Sequence, residues 1–405
     1  KMRTSNLNRL LRHTAPHRFL LLCLPFTASC SEGSVPEPCA ELPTRTVLVY
    51  LAGDNNLEEI GRTPELLRQG WKDTGSKCLI YYDAPQAAPK LFALTIRHSD
   101  ASSVLETVEE YPEENSSSAG VFGRVLADVV RKYPSDSYGL IFASHGSGWL
   151  PCGALSDPTR TIGDDRTPGT TGGAREMEIT DFAAAIPDHQ FDFIIFEACL
   201  MSGIEVAYEL RNKTDYLLAS SAELLVPGYA PVYPTAFQYL FDTSLGVPQA
   251  LEKFAGSYFN YIDTRNGAYR SATQSIVYTR EMDALAILAG KTTGNTHGRW
   301  DDALLGKLQH FDRPGSYGDI PARPRYFDFG QYMAYLAPER QADLDALLRK
   351  TVVWKAATPE FMAGYNGFTI LTHSGLTTYI EQDEFPELNA AYKKTAWWKA
   401  THVQK

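Results

Sequence analysis

The chain has 405 residues, of which 44% are hydrophobic and 21% are charged. This balance is typical of a globular protein with a large core and excludes a disordered or fibrous chain. The formal net charge of −10 argues against nucleic-acid binding, which calls for a basic face, and favours cationic partners.

Residues 1–30 are predicted to be a secretory signal. Basic residues without any acid precede the apolar run at 19–26, which is too short to span a bilayer. Small residues then lead to Cys30, and this order resembles the lipobox of bacterial lipoproteins, with Thr27 in place of the usual leucine. The resemblance implies a lipid on Cys30, and simple cleavage and release is the alternative. The polar, proline-rich residues 31–43 are predicted to be a tether.

From Thr46 onwards the chain alternates strand and helix patterns, which predicts an α/β fold with helices flanking a mostly parallel sheet. Strands are expected near residues 47–51, 78–82, 91–96, 138–143, 191–196 and 216–220, and helices near 121–132 and 204–210. After residue 221 the patterns become helical, near 235–241, 247–261, 282–290 and 342–353, with a last strand at 367–372.

Reactive side chains follow two of the predicted strands. The apolar run at 191–196 is typical of a strand buried on both faces, and Glu197 and Cys199 come directly after it. Because they are two residues apart, their side chains leave the same face of an extended chain and are expected to share one pocket. This edge of the sheet is where open α/β folds bind their ligands.

The strand at 138–143 ends in Ser144-His145-Gly146. An imidazole beside a thiol activates it as a nucleophile, so His145 and Cys199 are a candidate pair if the two strands are neighbours. Taken singly, a buried cysteine is usually a small hydrophobe and a histidine at a strand end is usually a satisfied polar residue. The occurrence of both at strand ends favours catalysis.

At these residues the chain resembles the clostripain family of cysteine peptidases, in the same clan as legumains, caspases and gingipains. The matching segments keep their order along the chain, at 47–58, 144–146, 176–179, 197–201, 215–223 and 364–379. The resemblance implies a caspase-like α/β/α sandwich, with Cys199 as the nucleophile and His145 as the general base. It also implies an oxyanion hole formed by the amides of Gly146 and Cys199.

By the same resemblance Glu197 replaces an aspartate at the base of the pocket for the residue that precedes the cut. Charge complementarity then predicts cleavage after Arg or Lys. Glutamate is one methylene longer than aspartate, and Tyr229 stands where related enzymes place another acid. Small or uncharged residues are therefore the alternative specificity.

Resemblance to clostripain also implies a zymogen that is cut between the histidine and the cysteine. The polar loop at 151–178 contains Arg160, Arg166 and Arg175 as candidate sites of self-cleavage. Arg166 and Arg175 are favoured because Pro158 stiffens the approach to Arg160. An intact loop that needs no activation is the alternative.

Two further polar segments are predicted to be structural. Residues 54–56 are expected to cap the helix after the first strand, and the acidic stretch at 106–118 is expected to be a solvated loop. No histidine or cysteine pattern indicates a metal site, so no cofactor is predicted. Calcium stays open, since Asp157, Asp164 and Asp165 could bind a cation, although dispersed loop carboxylates more often bind water.

The sequence thus predicts an exported cysteine endopeptidase with its catalytic core at 44–242 and a mostly helical C-terminal portion at 243–405. Its expected partners are polypeptide substrates, no nucleic acid, and a membrane only through the lipid on Cys30. Location at the outer membrane or surface of a bacterium is expected, with a periplasmic or secreted form as the alternative. Two other functions stay open: a catalytically silent binding protein on the same scaffold, and an amidase or transpeptidase with the same dyad.

Overall fold

A computed structural model describes residues 44–155, 162–166, 176–293, 302–316 and 322–402. Within these ranges the strands are β1 (Arg45–Ala52), β2 (Lys77–Asp83), β3 (Lys90–Ile96), β4 (Ser103–Glu110), β5 (Ser137–Ala143), β6 (Phe191–Glu197), β7 (Thr214–Ala219), β8 (Thr273–Tyr278), β9 (Phe327–Asp328), β10 (Val352–Ala357), β11 (Glu360–Phe361), β12 (Phe368–Thr369) and β13 (Thr377–Thr378). The α-helices are α1 (Thr63–Gly70), α2 (Ala119–Lys132), α3 (Ile179–Ala184), α4 (Ile204–Glu209), α5 (Tyr233–Ala236), α6 (Val247–Asp263), α7 (Met282–Thr293), α8 (Asp302–Leu305), α9 (Phe329–Leu336), α10 (Gln341–Thr351), α11 (Pro386–Tyr392) and α12 (Ala396–Thr401). None of the helices in the described ranges is both long and apolar enough to cross a membrane.

One nine-stranded sheet organises the molecule, in the order β10-β8-β7-β6-β5-β1-β2-β3-β4. The central strands from β7 to β2 run parallel to one another, and antiparallel strands extend the sheet on both sides. The prediction of a mostly parallel sheet is therefore confirmed.

Helices cover both faces of this sheet, as the alternation along β1 illustrates. All of its residues are buried, with Leu48 and Tyr50 in one core layer and Val47 and Val49 in the other. Helices α2, α3, α4 and α7 contribute to the first layer, and α1, α5 and α6 to the second. The predicted α/β/α sandwich is confirmed, and its parallel strands end together at one edge.

The sheet reaches further into the C-terminal part of the chain than the sequence predicts. Strand β8 is hidden in the sequence because polar residues interrupt its apolar pattern, yet Gln274 and Ser275 are buried with hydrogen-bond partners. Strand β10 begins directly after α10, inside the predicted helix at 342–353. The ranges 44–242 and 243–405 thus contribute strands to the same sheet.

The prediction of a loop at 106–118 is wrong for its first residues, which belong to β4. This strand is the edge of the sheet and pairs only with β3 among the described strands. Its glutamates lie on a partly solvated face, and charged side chains are a common protection of edge strands. Glutamate-rich edge strands therefore resemble solvated loops in the sequence.

Candidate active site

Strands β5 and β6 bring His145 and Cys199 to the same edge of the sheet. Ala143 pairs with Glu197 in the parallel register, and the Ser144 amide donates to the Glu197 carbonyl at 3.3 Å. The histidine and the cysteine each follow this pair by two residues. Because neighbouring strands lie about 4.8 Å apart, the two residues leave the sheet side by side.

Both residues line one cavity of about 360 Å³. Its walls come from the ends of β5 and β6, from residues 223–228 after β7, and from Arg313 and Ser316 in the C-terminal part of the chain. The volume lies within the range of roughly 300–1,000 Å³ that is common for ligand pockets. The cavity is large enough for one amino-acid side chain together with the adjoining backbone.

His145 is oriented by Asn56, which follows β1. The Nε2 atom of the histidine lies 2.7 Å from Oδ1 of Asn56, and His145 as a whole is 3% exposed. An amide oxygen only accepts hydrogen bonds, so Nε2 carries the proton of the neutral ring. The nitrogen that can take a proton from a thiol is therefore Nδ1.

The prediction that residues 54–56 cap a helix is wrong. The short 3-10 helix that follows, Glu58–Arg62, has no side-chain cap, and Asn55 instead donates to the carbonyls of Ala52 and Asp164 at 2.8 and 3.0 Å. The two asparagines thus have separate tasks. Asn55 links the end of β1 to the segment that contains Asp164, and Asn56 is a positioning residue for the imidazole of His145.

Cys199 is partly exposed to the cavity, and its Sγ donates to the Leu224 carbonyl at 3.8 Å. The next residue, Leu200, has a φ of 62°, a left-handed conformation that is rare for a branched side chain. This strained turn is held by a hydrogen bond of 2.9 Å from the Leu200 amide to the Ala222 carbonyl. The segment after β7 thus fixes the cysteine from two sides.

Gly146 packs directly against the turn that carries the cysteine. A Cβ atom at this position would lie 2.8 Å from the Cys199 carbonyl oxygen, so a larger residue would separate the two strand ends. In the part of the chain that the structure describes, no group accepts a hydrogen bond from the Gly146 amide. This amide is therefore available to an oxyanion beside the thiol.

Glu197 lies in the same cavity and is held by two donors. The Tyr229 amide donates to Oε1 at 2.7 Å, and the Tyr233 hydroxyl donates to Oε2 at 2.5 Å. Burial raises the pKa of Glu197 to about 7, although both hydrogen bonds act in the opposite direction. Near neutral pH the carboxyl therefore exchanges between its charged and neutral forms, and a bound cation would favour the charged form.

The turn at 225–229 is shaped around this carboxylate. Gly228 has a φ of 59°, and a Cβ atom there would lie 2.4 Å from Oε1 of Glu197. The Tyr229 side chain points away from the cavity and donates to Gln274 at 2.7 Å within the core. Tyr229 therefore supports Glu197 through its backbone and does not line the pocket in place of an acid.

The sequence does not predict the ion pair of Arg313 and Glu223, two residues that line the cavity. The guanidinium of Arg313 binds Glu223 through two hydrogen bonds, of 3.0 and 2.7 Å. The two residues are 90 positions apart, so no local pattern could have joined them. The pair couples the segment after β7 to the C-terminal part of the chain.

Of the candidate self-cleavage residues, Arg160 and Arg175 lie outside the described residues, as does the lipidation candidate Cys30. Arg166 is exposed, its amide donates to the Asp54 carbonyl at 2.8 Å, and its side chain pairs with Asp164 at 3.4 Å. Cleavage after Arg166 would therefore require this segment to detach.

The loop that contains Arg166 is closed by a pair of backbone hydrogen bonds. The Ile162 amide donates to the Met177 carbonyl at 3.1 Å, and the Met177 amide donates back at 3.0 Å. Ile162 also forms a bridge with Gly146, and the Gly163 amide donates to the His145 carbonyl at 3.0 Å. The base of the loop is thereby attached to the strand end that carries the histidine.

The loop carboxylates considered for calcium have other partners or lie outside the described residues. Asp165 is fully buried and accepts from the Ser116 hydroxyl at 2.9 Å, Asp164 pairs with Arg166, and Asp157 is not described. Within the described ranges, no group of three or more His, Cys, Asp or Glu side chains could hold a metal ion.

The site thus combines a cysteine, a histidine and a buried carboxylate at one edge of the sheet. Comparison with known protein families agrees with this arrangement. The model of the clostripain family matches residues 49–288. The chain belongs to the clostripain family. The family prediction made from the strand-end motifs is thus confirmed.

Three known proteins show how far the similarity in sequence and structure extends. The chain is 26% identical to clostripain of Hathewaya histolytica over 290 residues, which cover 64% of this chain and 52% of that protein. The chain thus spans about half the length of this curated relative.

Two solved structures cover nearly the whole of their own chains. An inactive zymogen of a C11 protease from Parabacteroides distasonis has a TM-score of 0.73 and 28% identity, covering 88% of this chain and 98% of that one. A secreted C11 cysteine protease from Bacteroides thetaiotaomicron, solved with an irreversible peptide inhibitor, has a TM-score of 0.74 and 25% identity, covering 89% and 99%.

Proposed function

We propose that this clostripain-family chain is a cysteine endopeptidase that cleaves peptide bonds after Arg or Lys with Cys199 and His145. The observation that carries the proposal is the register of β5 and β6, because it delivers thiol and imidazole side by side into a cavity that also contains Glu197. The relatives described as proteases support it.

The reaction begins when Nδ1 of His145 accepts the thiol proton of Cys199. The thiolate attacks the carbonyl carbon of the scissile bond, and the negative charge that develops on oxygen is stabilised by the amides of Gly146 and Cys199. The imidazolium then protonates the leaving amine, which departs as the C–N bond breaks. Water, deprotonated by the same imidazole, hydrolyses the thioester and restores the thiol.

Selection of the residue before the cut is assigned to Glu197. Its carboxylate lines the cavity and accepts hydrogen bonds from Tyr229 and Tyr233, and no basic side chain pairs with it in the part of the chain that the structure describes. Of the other two acids that line the cavity, Glu223 pairs with Arg313 at 2.7 Å and Glu59 pairs with Arg62 at 3.2 Å. A guanidinium or ammonium group of the substrate therefore finds its counter-charge at Glu197.

Cleavage of a peptide library tests this function. The wild-type chain should cut after Arg and Lys, and Cys199→Ala should be inactive with an unchanged melting temperature. Glu197→Gln should keep the dyad but lose most of the preference for Arg over Ala. A Cys199→Ala variant with full activity would refute the proposed enzyme, and an unchanged preference in Glu197→Gln would remove the carboxylate as the selector. Binding without cleavage by the wild type would favour the silent binding protein.

Self-cleavage in the loop at 151–178 is a further part of the proposal. The structure of an inactive zymogen in the same family supports it, as do Arg160, Arg166 and Arg175 in this loop. Wild-type and Cys199→Ala chains should be compared on a denaturing gel, with the masses of any fragments. Two fragments that end at one of these arginines, seen only with Cys199 intact, are expected. A single active full-length chain would contradict self-cleavage.

Export with a lipid on Cys30 completes the proposal. It is supported by the basic and apolar residues before Cys30 and by a relative described as secreted. Expression of the chain in a bacterium with labelled palmitate should give label that is lost in Cys30→Ala, with the protein in the membrane fraction. Unlabelled protein in the medium would favour simple release.

A further inference from the structure

One wall of the cavity contains the guanidinium of Arg313, which has more N–H groups than its described partners accept from. Arg313 donates through Nε and Nη2 to Glu223, at 3.0 and 2.7 Å, and through Nη1 to the Tyr365 carbonyl at 3.3 Å. A guanidinium has five N–H groups, so two of them have no partner in the part of the chain that the structure describes. The side chain is only 15% exposed, and it lines the same cavity as Cys199.

The position of Arg313 is fixed from both sides. Its partner Glu223 is 9% exposed and comes directly before Leu224, whose carbonyl accepts from the Cys199 thiol. Behind this pair, Ala222, Phe311 and Phe361 form a small buried cluster that joins the segment after β7 to strand β11. A bidentate pair in such a setting holds the guanidinium in one orientation.

This wall borders the acyl half of the substrate, an assignment that depends on the proposed function. The residue whose side chain reaches Glu197 supplies the acyl group, and Gly228 touches Glu197 at one end of the wall. Residues 223–228 line the cavity from that end to Glu223 and Arg313. The chain of the substrate before the cut therefore passes the guanidinium.

The charges in the cavity indicate which substrate group these donors would bind. Three carboxyl groups line it, and since Glu59 pairs with Arg62 and Glu223 with Arg313, the carboxyl of Glu197 is in excess. An acidic substrate side chain would be repelled by this excess and would compete with Glu223. A neutral hydrogen-bond acceptor is not repelled by the carboxyl groups and does not compete with Glu223. Every peptide substrate has such acceptors in its backbone carbonyls.

We propose that Arg313 is a main-chain binding residue, whose two unused N–H groups hold a backbone carbonyl of the substrate before the residue in the Glu197 pocket. Glu223 acts as a positioning residue because it orients the guanidinium and cancels its charge. Recognition of this kind does not depend on sequence, so it would favour longer peptides over single-residue substrates.

The test compares fluorogenic arginine amides that carry one to four residues before the scissile bond. In the wild type kcat/KM should rise with length, mainly through a lower KM. In Arg313→Gln the ratio of kcat/KM for the longest amide to that for the single-residue amide should be reduced by about 10- to 100-fold, as expected for loss of a hydrogen bond from a charged donor. Arg313→Lys should retain part of the rise.

Arg280→Gln is the matched control, because Arg280 makes a similar two-bond pair with Asp215, at 2.8 and 3.0 Å, away from the cavity. It should leave the dependence on length unchanged. If Arg313→Gln unfolds, the wild type is tested with substrates whose carbonyl oxygens are replaced one at a time by sulfur, a weaker acceptor. One position should lose affinity in the wild type and should lose less in Arg313→Lys.

An undiminished rise with length in folded Arg313→Gln, or equal losses at every sulfur position, would overturn the inference while the peptidase assignment stands. A wild-type chain that cleaves none of these amides would overturn the proposed function and this inference with it.

Discussion

At the scale of single residues, Asn56 and Glu197 have contacts that bear directly on the proposed chemistry. Asn56 is exposed and makes no contribution to the core, yet its amide oxygen lies 2.7 Å from Nε2 of His145. Burial raises the pKa of Glu197 to about 7, so its charge changes near neutral pH. Each residue therefore offers a change that tests one step of the proposed chemistry.

Asn56→Ala is expected to lower kcat on the order of tenfold, because the lost hydrogen bond leaves the imidazole without its orienting partner. KM and the melting temperature should change little, since Asn56 is exposed. Asn56→Asp should restore activity in part and move the acidic limb of the kcat profile to higher pH, since a carboxylate stabilises the imidazolium. A normal kcat in Asn56→Ala would show that the contact has no catalytic role.

The preference for arginine is expected to depend on pH through Glu197. The ratio of kcat/KM for an arginine substrate to that for its citrulline analogue should rise as pH increases through about 7, because the carboxyl ionises there and only arginine is charged. Taking the ratio cancels the titration of the dyad. In Glu197→Gln the ratio should be low and independent of pH. A flat ratio in the wild type would contradict this role.

The same shift has a consequence for stability, with the opposite sign to that of most carboxyls. The folded state holds the proton of Glu197 more tightly than the unfolded chain, whose pKa is near 4.5. Stability from this group is present below that value and is lost as the pH rises towards about 7. The melting temperature of Glu197→Gln relative to wild type should therefore be higher at pH 8 than at pH 5.

At the level of elements, the turn at 225–229 contacts the carboxylate of Glu197, to which we assign the proposed specificity. Gly228→Ala is expected to reduce the preference for arginine by roughly tenfold, because a Cβ atom 2.4 Å from Oε1 displaces the Glu197 carboxylate. Gly75→Ala is the control, since it has a similar positive φ of 77° with no atom within 4 Å. It shares the backbone strain, of about 1 kcal/mol, without the clash. Equal effects of both changes on specificity would contradict the assignment.

The sequence predicts strands well where apolar residues form a continuous run. It predicts them poorly where contacts between distant residues determine the structure. The buried parallel strands β1, β5 and β6 are legible as apolar runs, and so are the reactive residues that follow β5 and β6. Strand β8 is concealed because Gln274 and Ser275 find partners only after folding. The contact of Asn56 with His145 and the pairing of Arg313 with Glu223 join residues about 90 positions apart, so local sequence patterns do not predict them.

On the scale of the whole molecule, one sheet joins the two parts that self-cleavage would separate. Strands β1 to β5 precede the loop at 151–178, and β6, β7, β8 and β10 follow it. Strand β5 pairs with β6 from Gly139 to Ala143, and the backbone pair of Ile162 and Met177 holds the base of the loop. Neither part can bury both faces of its strands alone.

Fragments produced by self-cleavage are therefore expected to stay together. On size-exclusion chromatography in native buffer they should elute as one species at the volume of the uncut Cys199→Ala chain, with full activity in that peak. In strong denaturant they should separate. Active fragments that elute apart in native buffer would contradict the single sheet that spans both parts.

The central claim is that Cys199 is the nucleophile and His145 its base. Its most direct test is reaction of the full chain with an irreversible arginyl peptide inhibitor, followed by mass spectrometry of the adduct. The account predicts one adduct, on Cys199, whose formation slows by at least about 100-fold in His145→Ala, while the partly buried Cys152 stays unmodified. An adduct on another residue, or a normal rate of modification in His145→Ala, would contradict it.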